Sequence, residues 1–229
     1  MRNDGREPVS DKTRIAVIDD DRSIRKSLVR MLSVAGFDVV AFASARDFLA
    51  AVDIERVSCA VSDLRMPGVD GLALQQTLRG RLPHLSMVFI TGHGDVPASV
   101  TAMKAGAVDF LEKPVRSGVL LEAINRAIER SRNLLAASTE IEELKIRYQR
   151  LTPREGEVFA LVAAGLLNKQ IGAELGAAEK TIKQHRGRVM DKMEAESLAD
   201  LVLMAERLGI RPAETDFSRA KGKLISEAK

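Results

Sequence analysis

The sequence predicts two domains of different class: an α/β doubly wound (βα)5 domain with a parallel sheet, then an all-α domain of four helices. Three observations carry this. Short apolar runs alternate with amphipathic helical stretches five times across residues 14–132. Over 151–211 no strand pattern remains, and apolar residues recur at helical spacing in four blocks. Between them, residues 133–150 contain neither glycine nor proline and read as a helical linker. Strand–helix alternation at this pitch implies a parallel sheet covered by helices on both faces, and right-handed crossovers then give the doubly wound form. The remaining segments, 1–13 and 212–229, are polar and are expected to be a flexible N-terminus and a flexible tail.

In chain order, strands are expected to begin near Ile15, Asp38, Val57, Met87 and Val108. Helices are expected over 22–35, 45–52, 71–80, 97–105 and 117–131, with apolar spacing such as Ile24, Leu28, Met31 and Leu32. Gly36, Gly80 and Gly106 are expected to close three of them. In the linker, Leu134, Ala137, Ile141, Leu144, Tyr148 and Leu151 fall on heptad a and d positions. That stripe suits either a connecting helix packed on its neighbours or a coiled coil pairing two chains, and it is too short to choose between them. The last four helices are expected over 153–164, 168–175, 179–193 and 197–208, with Gly165 and Gly176 separating the first three.

The bulk composition excludes several classes. At 229 residues, 45% hydrophobic and 29% charged, the chain is not disordered overall, and with 3% aromatics its cores must be mainly aliphatic. No run approaches the roughly 18–20 apolar residues of a membrane span, and residues 1–12 lack a signal peptide's apolar stretch. The single cysteine, Cys59, falls in a predicted buried strand, which excludes an internal disulfide and fits a cytoplasmic protein. The net charge of +3 is spread evenly, one net positive charge in each of 1–130, 131–150 and 151–229. An argument for nucleic acid must therefore rest on local clustering.

Such clustering of function appears first at the strand ends. Asp19 and Asp20, Asp63, Thr91 and Lys113 each lie just past an apolar run. Groups at the carboxyl ends of parallel strands converge on one crevice. Taken singly, the acids have plainer readings: the run 19–21 could cap the next helix, and Asp63 could be a turn acid before Pro67. Convergence changes this, because like charges in one crevice need a cation or a proton between them. Hard oxygen ligands suit Mg2+, whereas His84, His93 and His185 have no metal spacing. An aspartate beside such an ion can attack phosphorus, with a lysine neutralising the remaining charge.

Four motifs then match a known family: Ile18-Asp19-Asp20-Asp21, the stretch from Ser62 through Met66-Pro67-Gly68 to Asp70-Gly71, Thr91-Gly92-His93-Gly94, and Lys113-Pro114. Residues 14–131 resemble the receiver domain of bacterial two-component response regulators, and Thr91 to Pro114 is especially similar to the FixJ subgroup. The resemblance implies that Asp63 accepts phosphate from the phosphohistidine of a sensor histidine kinase. It implies Mg2+ held by Asp20, Asp63 and the backbone carbonyl of Arg65, with Asp19 acting largely through water. Thr91 and Lys113 would hold the phosphoryl group, Lys113-Pro114 would be cis, and Phe110 would turn inward as Thr91 moves. His93 is given no role. Self-phosphorylation and slow loss of the phosphate are the only catalysis implied. A Mg2+-dependent phosphohydrolase is the rival reading of these acids, and Arg65 stands where its second carboxylate would be.

Residues 179–193 hold five Lys or Arg against two acids, on a helix whose inward face is Ile182, Val189, Met190 and Met193. Basic helices are usually just solvated faces. Here a short preceding helix and a glycine-bearing turn give the layout of a helix-turn-helix, whose second helix enters the major groove. The block 151–210 resembles the LuxR-type DNA-binding domain through Arg154-Glu155, Gly165 to Ile171, and Thr181 to His185. That implies double-stranded DNA as partner, phosphate contacts by Lys169 and Thr181, and a reading helix presenting Lys183, Gln184, Arg186 and Arg188. His185 is expected to be structural or to touch backbone. Two departures stand out: Ala177-Ala178 replaces a Ser-like cap, which costs about 0.5–2 kcal/mol, and Gly187 sits inside the reading helix at a cost of about 1 kcal/mol. The combined expectation is a bacterial response regulator that binds DNA and forms a homodimer on phosphorylation. A signalling adaptor whose helical block binds protein is the competing reading, which salt-sensitive DNA binding would exclude.

Overall fold

The computed structural model describes residues 13–92 and 96–211. The expected flexible ends lie outside them, apart from Thr13, as does His93. Two compact units divide at Ala136/Ala137.

In the first unit, β1 (Arg14–Ile18), β2 (Asp38–Phe42), β3 (Val57–Asp63), β4 (Ser86–Thr91) and β5 (Asp109–Glu112) alternate with α1 (Arg22–Val34), α2 (Ala45–Ala50), α3 (Gly71–Arg81), α4 (Val96–Lys104) and α5 (Ser117–Gln149), whose residues from Ala137 on belong to the second unit. Every strand pair is parallel, in the order β2-β1-β3-β4-β5. The central strands read as unbroken apolar runs because both faces are covered. Successive side chains go to opposite faces: Ala16, Ile18, Ala60 and Phe89 join Phe48, Leu74 and Leu78, while Ile15, Val17, Cys59, Val61, Val88 and Ile90 join Leu28, Leu32, Leu120 and Ile124. Each buried Val, Leu, Ile or Phe among them contributes about 1.5–3 kcal/mol.

Three details differ from the sequence expectation. The helix expected over 45–52 ends at Ala50, and a 3-10 turn, Ile54–Arg56, follows and buries Ile54. Gly36 and Gly106 close helices with φ of 95° and 88°, whereas Gly80 lies inside α3. Carrying α3 one residue further keeps Leu78 and Leu82 in the core. The fifth helix does not stop before a separate linker; with no glycine or proline in 119–149, α5 runs to Gln149. Its heptad stripe is not uniform: Leu134 is exposed, Leu144 is buried, and Tyr148 and Leu151 pack on the second unit's core.

The second unit contains α6 (Pro153–Ala163), α7 (Asn168–Leu175), α8 (Glu179–Met193) and α9 (Leu198–Leu208). Val158, Phe159, Val162, Ile171, Ile182, Val189, Met193 and Leu201 form its core. Reciprocal capping boxes start α6 (Thr152 with Glu155) and α9 (Ser197 with Asp200). Within α7, Gly172 is needed where the following turn folds back on the helix: a Cβ there would lie 2.6 Å from the Ala177 carbonyl oxygen.

Candidate functional site

The sheet order reverses between β1 and β3, and the crevice beyond their carboxyl ends is where ligands bind in such folds. The structure brings the predicted acids and Lys113 together there. Lys113 Nζ donates to Asp19 Oδ2 at 2.8 Å and to Asp63 Oδ2 at 2.9 Å. One carboxylate oxygen from each of Asp19, Asp20 and Asp63 lies within 4.8 Å of the other two. Asp19 is buried and Asp20 exposed. Asp21, the third acid of the run, does the capping: its Oδ1 accepts from the N–H groups of Ser23 (2.7 Å) and Ile24 (3.0 Å). These two bonds hold its carboxyl below the usual range. The plain capping reading is therefore right for Asp21, which leaves its two neighbours for the crevice.

Burial pushes the Asp19 carboxyl up, against the pull of the Lys113 hydrogen bond and charge. Burial also works against the Lys113 ammonium, but the two carboxylates together outweigh it and hold Lys113 above its ordinary value. Thr91 is buried at the end of β4, and its carbonyl accepts the Lys113 N–H at 2.7 Å. The Lys113–Pro114 peptide is cis. Arg65 follows in the β3–α3 turn, its N–H 3.4 Å from Asp63 Oδ1. Phe110 is half-buried against the core on the Phe89 side of the sheet. Cys59 is plain core, its thiol pushed up to about 12 by burial.

Two residues here have roles that the sequence pattern does not assign. Arg25 Nη1 donates to the backbone carbonyls of Asp19 (2.6 Å) and Asp20 (3.3 Å), pinning the acidic turn. Its only signal was a cation one turn into the helix that follows the acids. Gly71 starts α3 where a Cβ would lie 2.6 Å from the Asp63 carbonyl oxygen and 2.8 Å from the Phe89 ring.

In the second unit, Lys169 on α7 and Thr181, Lys183, Gln184 and Arg188 on α8 are exposed. Arg186 departs from the expectation: it is half-buried, and its Nη1 donates to Asn168 Oδ1 at 3.2 Å. His185 is half-buried, with Nδ1 enclosed and without a hydrogen-bond partner. Ala178 begins α8 with no side-chain cap, as expected. Among the described residues, no helix is long and apolar enough to cross a membrane.

A five-stranded parallel sheet with an acid–lysine crevice, joined to a four-helix unit whose third helix is basic and largely exposed, has the layout of a receiver domain followed by a helix-turn-helix. Residues 15–125 match the response regulator receiver domain, and residues 149–205 match the luxR family of bacterial regulatory proteins. The chain belongs to the transcriptional response regulators that combine these two domains, a family of regulators and not of metabolic enzymes. It is 48% identical to Nodulation protein W of Bradyrhizobium diazoefficiens over 212 residues, 93% of each chain. It is 43% identical to Transcriptional regulatory protein FixJ of Rhizobium meliloti over 202 residues, 87% of this chain and 98% of that one. The solved structure of the response regulator StyR aligns with a TM-score of 0.71 at 42% identity, covering 86% of this chain and 99% of that one.

Proposed function

We propose that Asp63 is the phosphoacceptor, and that its phosphorylation by a sensor histidine kinase controls DNA binding by the second unit. The observation that carries this is the position of Asp63 Oδ2, at a strand end, 2.9 Å from a lysine ammonium and beside two further carboxylates. In the transfer, the Asp63 oxygen forms a bond to phosphorus as the P–N bond of a phosphohistidine breaks. The imidazole nitrogen leaves with the electron pair. Lys113, three donors on a flexible stem, neutralises the phosphoryl oxygens, and the Thr91 hydroxyl donates to one of them. The acids suit a hard divalent ion: Asp20, Asp63 and the Arg65 carbonyl would hold Mg2+, with Asp19 acting through water, and the ion would supply charge neutralisation at the phosphoryl group. Phe110 turns inward as Thr91 moves, carrying the change to the α4–β5 face.

The working division is a receiver over 14–132, a connecting helix over 133–150 and a DNA-binding domain over 151–211. Lys169 and Thr181 contact phosphates, while Lys183, Gln184 and Arg188 face the major groove. Phosphorylation favours a homodimer, whose two DNA-binding domains engage paired half-sites more tightly than one alone. With DNA as its target, the protein acts in the bacterial cytoplasm.

The test is light scattering and salt-titrated DNA binding on one preparation of the full chain, with and without beryllofluoride plus Mg2+, and with Asp63→Asn as control. The expected result is a gain in mass or DNA affinity only where Asp63 is intact. A response equal in Asp63→Asn, or none in the wild type, refutes the proposal.

A further inference from the structure

The reading helix carries four polar side chains expected to face DNA, and one of them is placed differently from the rest. At 3.6 residues per turn, Arg186 lies about 40° around α8 from Ile182, whereas Lys183, Gln184 and Arg188 lie about 100°, 160° and 120° away. Ile182 is fully buried in the core of its unit, so Arg186 projects from the flank that faces α7. Its half-burial and its 3.2 Å hydrogen bond to Asn168 Oδ1, at the first turn of α7, agree with that direction.

We infer that Arg186 is a positioning residue, which fixes the reading helix against α7, and not a DNA contact. Two further observations show why α8 needs such a tie. It starts at Ala178 without a side-chain cap and carries Gly187 in its middle, so both its first turn and its centre are weakly held by local interactions. The α7–α8 pair already shares the core of Ile171, Ile182 and Val189. The Arg186–Asn168 bond adds a second point of attachment from within α8 to the start of α7. The shared core holds the two helices together, and this bond adds a directional polar tie that favours one angle between them. Lys183, Gln184 and Arg188 are then the side chains left to contact the groove.

This inference rests on the DNA-binding reading above, and the experiment separates the two. The probe is a duplex enriched from a random-sequence pool by the wild-type full chain loaded with beryllofluoride and Mg2+. Affinity is measured across a salt series for Arg186→Ala, Asn168→Ala, the double variant and Arg188→Ala. A charge-assisted hydrogen bond that orders the reading helix predicts about tenfold weaker binding in each of the first two variants. The double variant should bind no more weakly than the worse single one, because both changes break one interaction. Arg186→Ala should leave the slope of log affinity against log salt unchanged, while Arg188→Ala, if it loses a phosphate contact, lowers its magnitude by about 0.9. A similar drop in slope for Arg186→Ala, or additive losses in the double variant, overturns the inference. So does unchanged affinity with a lowered unfolding midpoint, which would make the bond structural only. Absence of wild-type binding to any duplex at the lowest salt overturns the DNA-binding reading itself, and the inference with it.

Discussion

Glu155→Gln tests the central ion pair of the second unit. Glu155 is buried, and its Oε2 accepts from Lys192 Nζ at 2.6 Å and from the Thr152 N–H at 2.9 Å. The Lys192 hydrogen bond, then that of Thr152, holds the Glu155 carboxyl down at about 2 against an ordinary value of 4.5. A depression of that size corresponds to about 3 kcal/mol favouring the charged form in the fold. The Lys192 side chain is 35% exposed, and solvent screening reduces the figure to about 2 kcal/mol. The sign follows from the direction: a depressed carboxyl stabilises the fold fully above the unfolded value of 4.5, and that stability drains away as pH falls towards about 2. The sequence contains one tyrosine and no tryptophan. That tyrosine, Tyr148, packs on Phe159 with ring centroids 5.6 Å apart, so tyrosine fluorescence of the full chain reports on the second unit alone. In urea, with a slope of about 1 kcal/mol per molar for so small a domain, Glu155→Gln should lower the midpoint by about 2 M at pH 7. The difference from wild type should shrink as pH is taken below 4.5. Equal midpoints at pH 7, or a gap that stays constant into acid, would refute the reasoning.

Gly71→Ala should cost about 1–3 kcal/mol of first-unit stability, because the new Cβ meets the Asp63 carbonyl oxygen and the Phe89 ring. Thermal unfolding monitored by helical circular dichroism would register it, and an unchanged transition would count against so tight a β3–α3 turn. Ala178→Ser supplies the missing cap on α8 and should raise the Tyr148 urea midpoint by the equivalent of about 0.5–2 kcal/mol; a lowered midpoint would mean that the small side chain is needed there. Lys113→Met removes the ammonium between Asp19 and Asp63. Calorimetric titration should then find Mg2+ bound more tightly, because a competing cation is gone, while the response to beryllofluoride is lost. Weaker Mg2+ binding would mean that Lys113 orders the acids and does not compete for them.

Most of the architecture was legible because its signals are local and repeated. Five strand–helix alternations dictate a doubly wound sheet, and the four C-terminal helices fall within a residue of where apolar spacing puts them. What was misread depends on tertiary context. Gly80 looks like Gly36 in sequence, but the burial of Leu78 and Leu82 carries α3 through it. The linker seemed separate because its composition turns polar, yet nothing in residues 119–149 stops a helix. At the crevice, strand ends pointed to residues that the fold brings together, but not to the division of labour in the acidic run between Asp21, the cap, and Asp19 and Asp20. Charge alone groups Arg186 with the reading residues, whereas its angle of about 40° from Ile182 and its bond to Asn168 are what the inference above rests on.

The electrostatics of the crevice also explain how chemistry at one carboxylate can reach a distant surface. Three carboxylates and one ammonium meet in a partly buried space, and Lys113 spends two of its three donors on Asp19 and Asp63. A phosphoryl group on Asp63 adds negative charge and three strong acceptors, so the ammonium must shift its bonds towards them. The Lys113 backbone is itself tied to the sheet, its N–H bonded to the Thr91 carbonyl at 2.7 Å. Thr91 ends β4, and Phe110 on β5 pairs with Phe89 of β4 in the parallel register. Under the proposed function, a phosphoryl group drawing on both the Lys113 ammonium and the Thr91 hydroxyl would bear on β4 and on the chain that follows β5. On the proposed reading, Thr91 and Phe110 turn a local charge imbalance into a change of shape on the α4–β5 side. The second unit then responds through a difference in which surfaces pair, a shift between states that already exist.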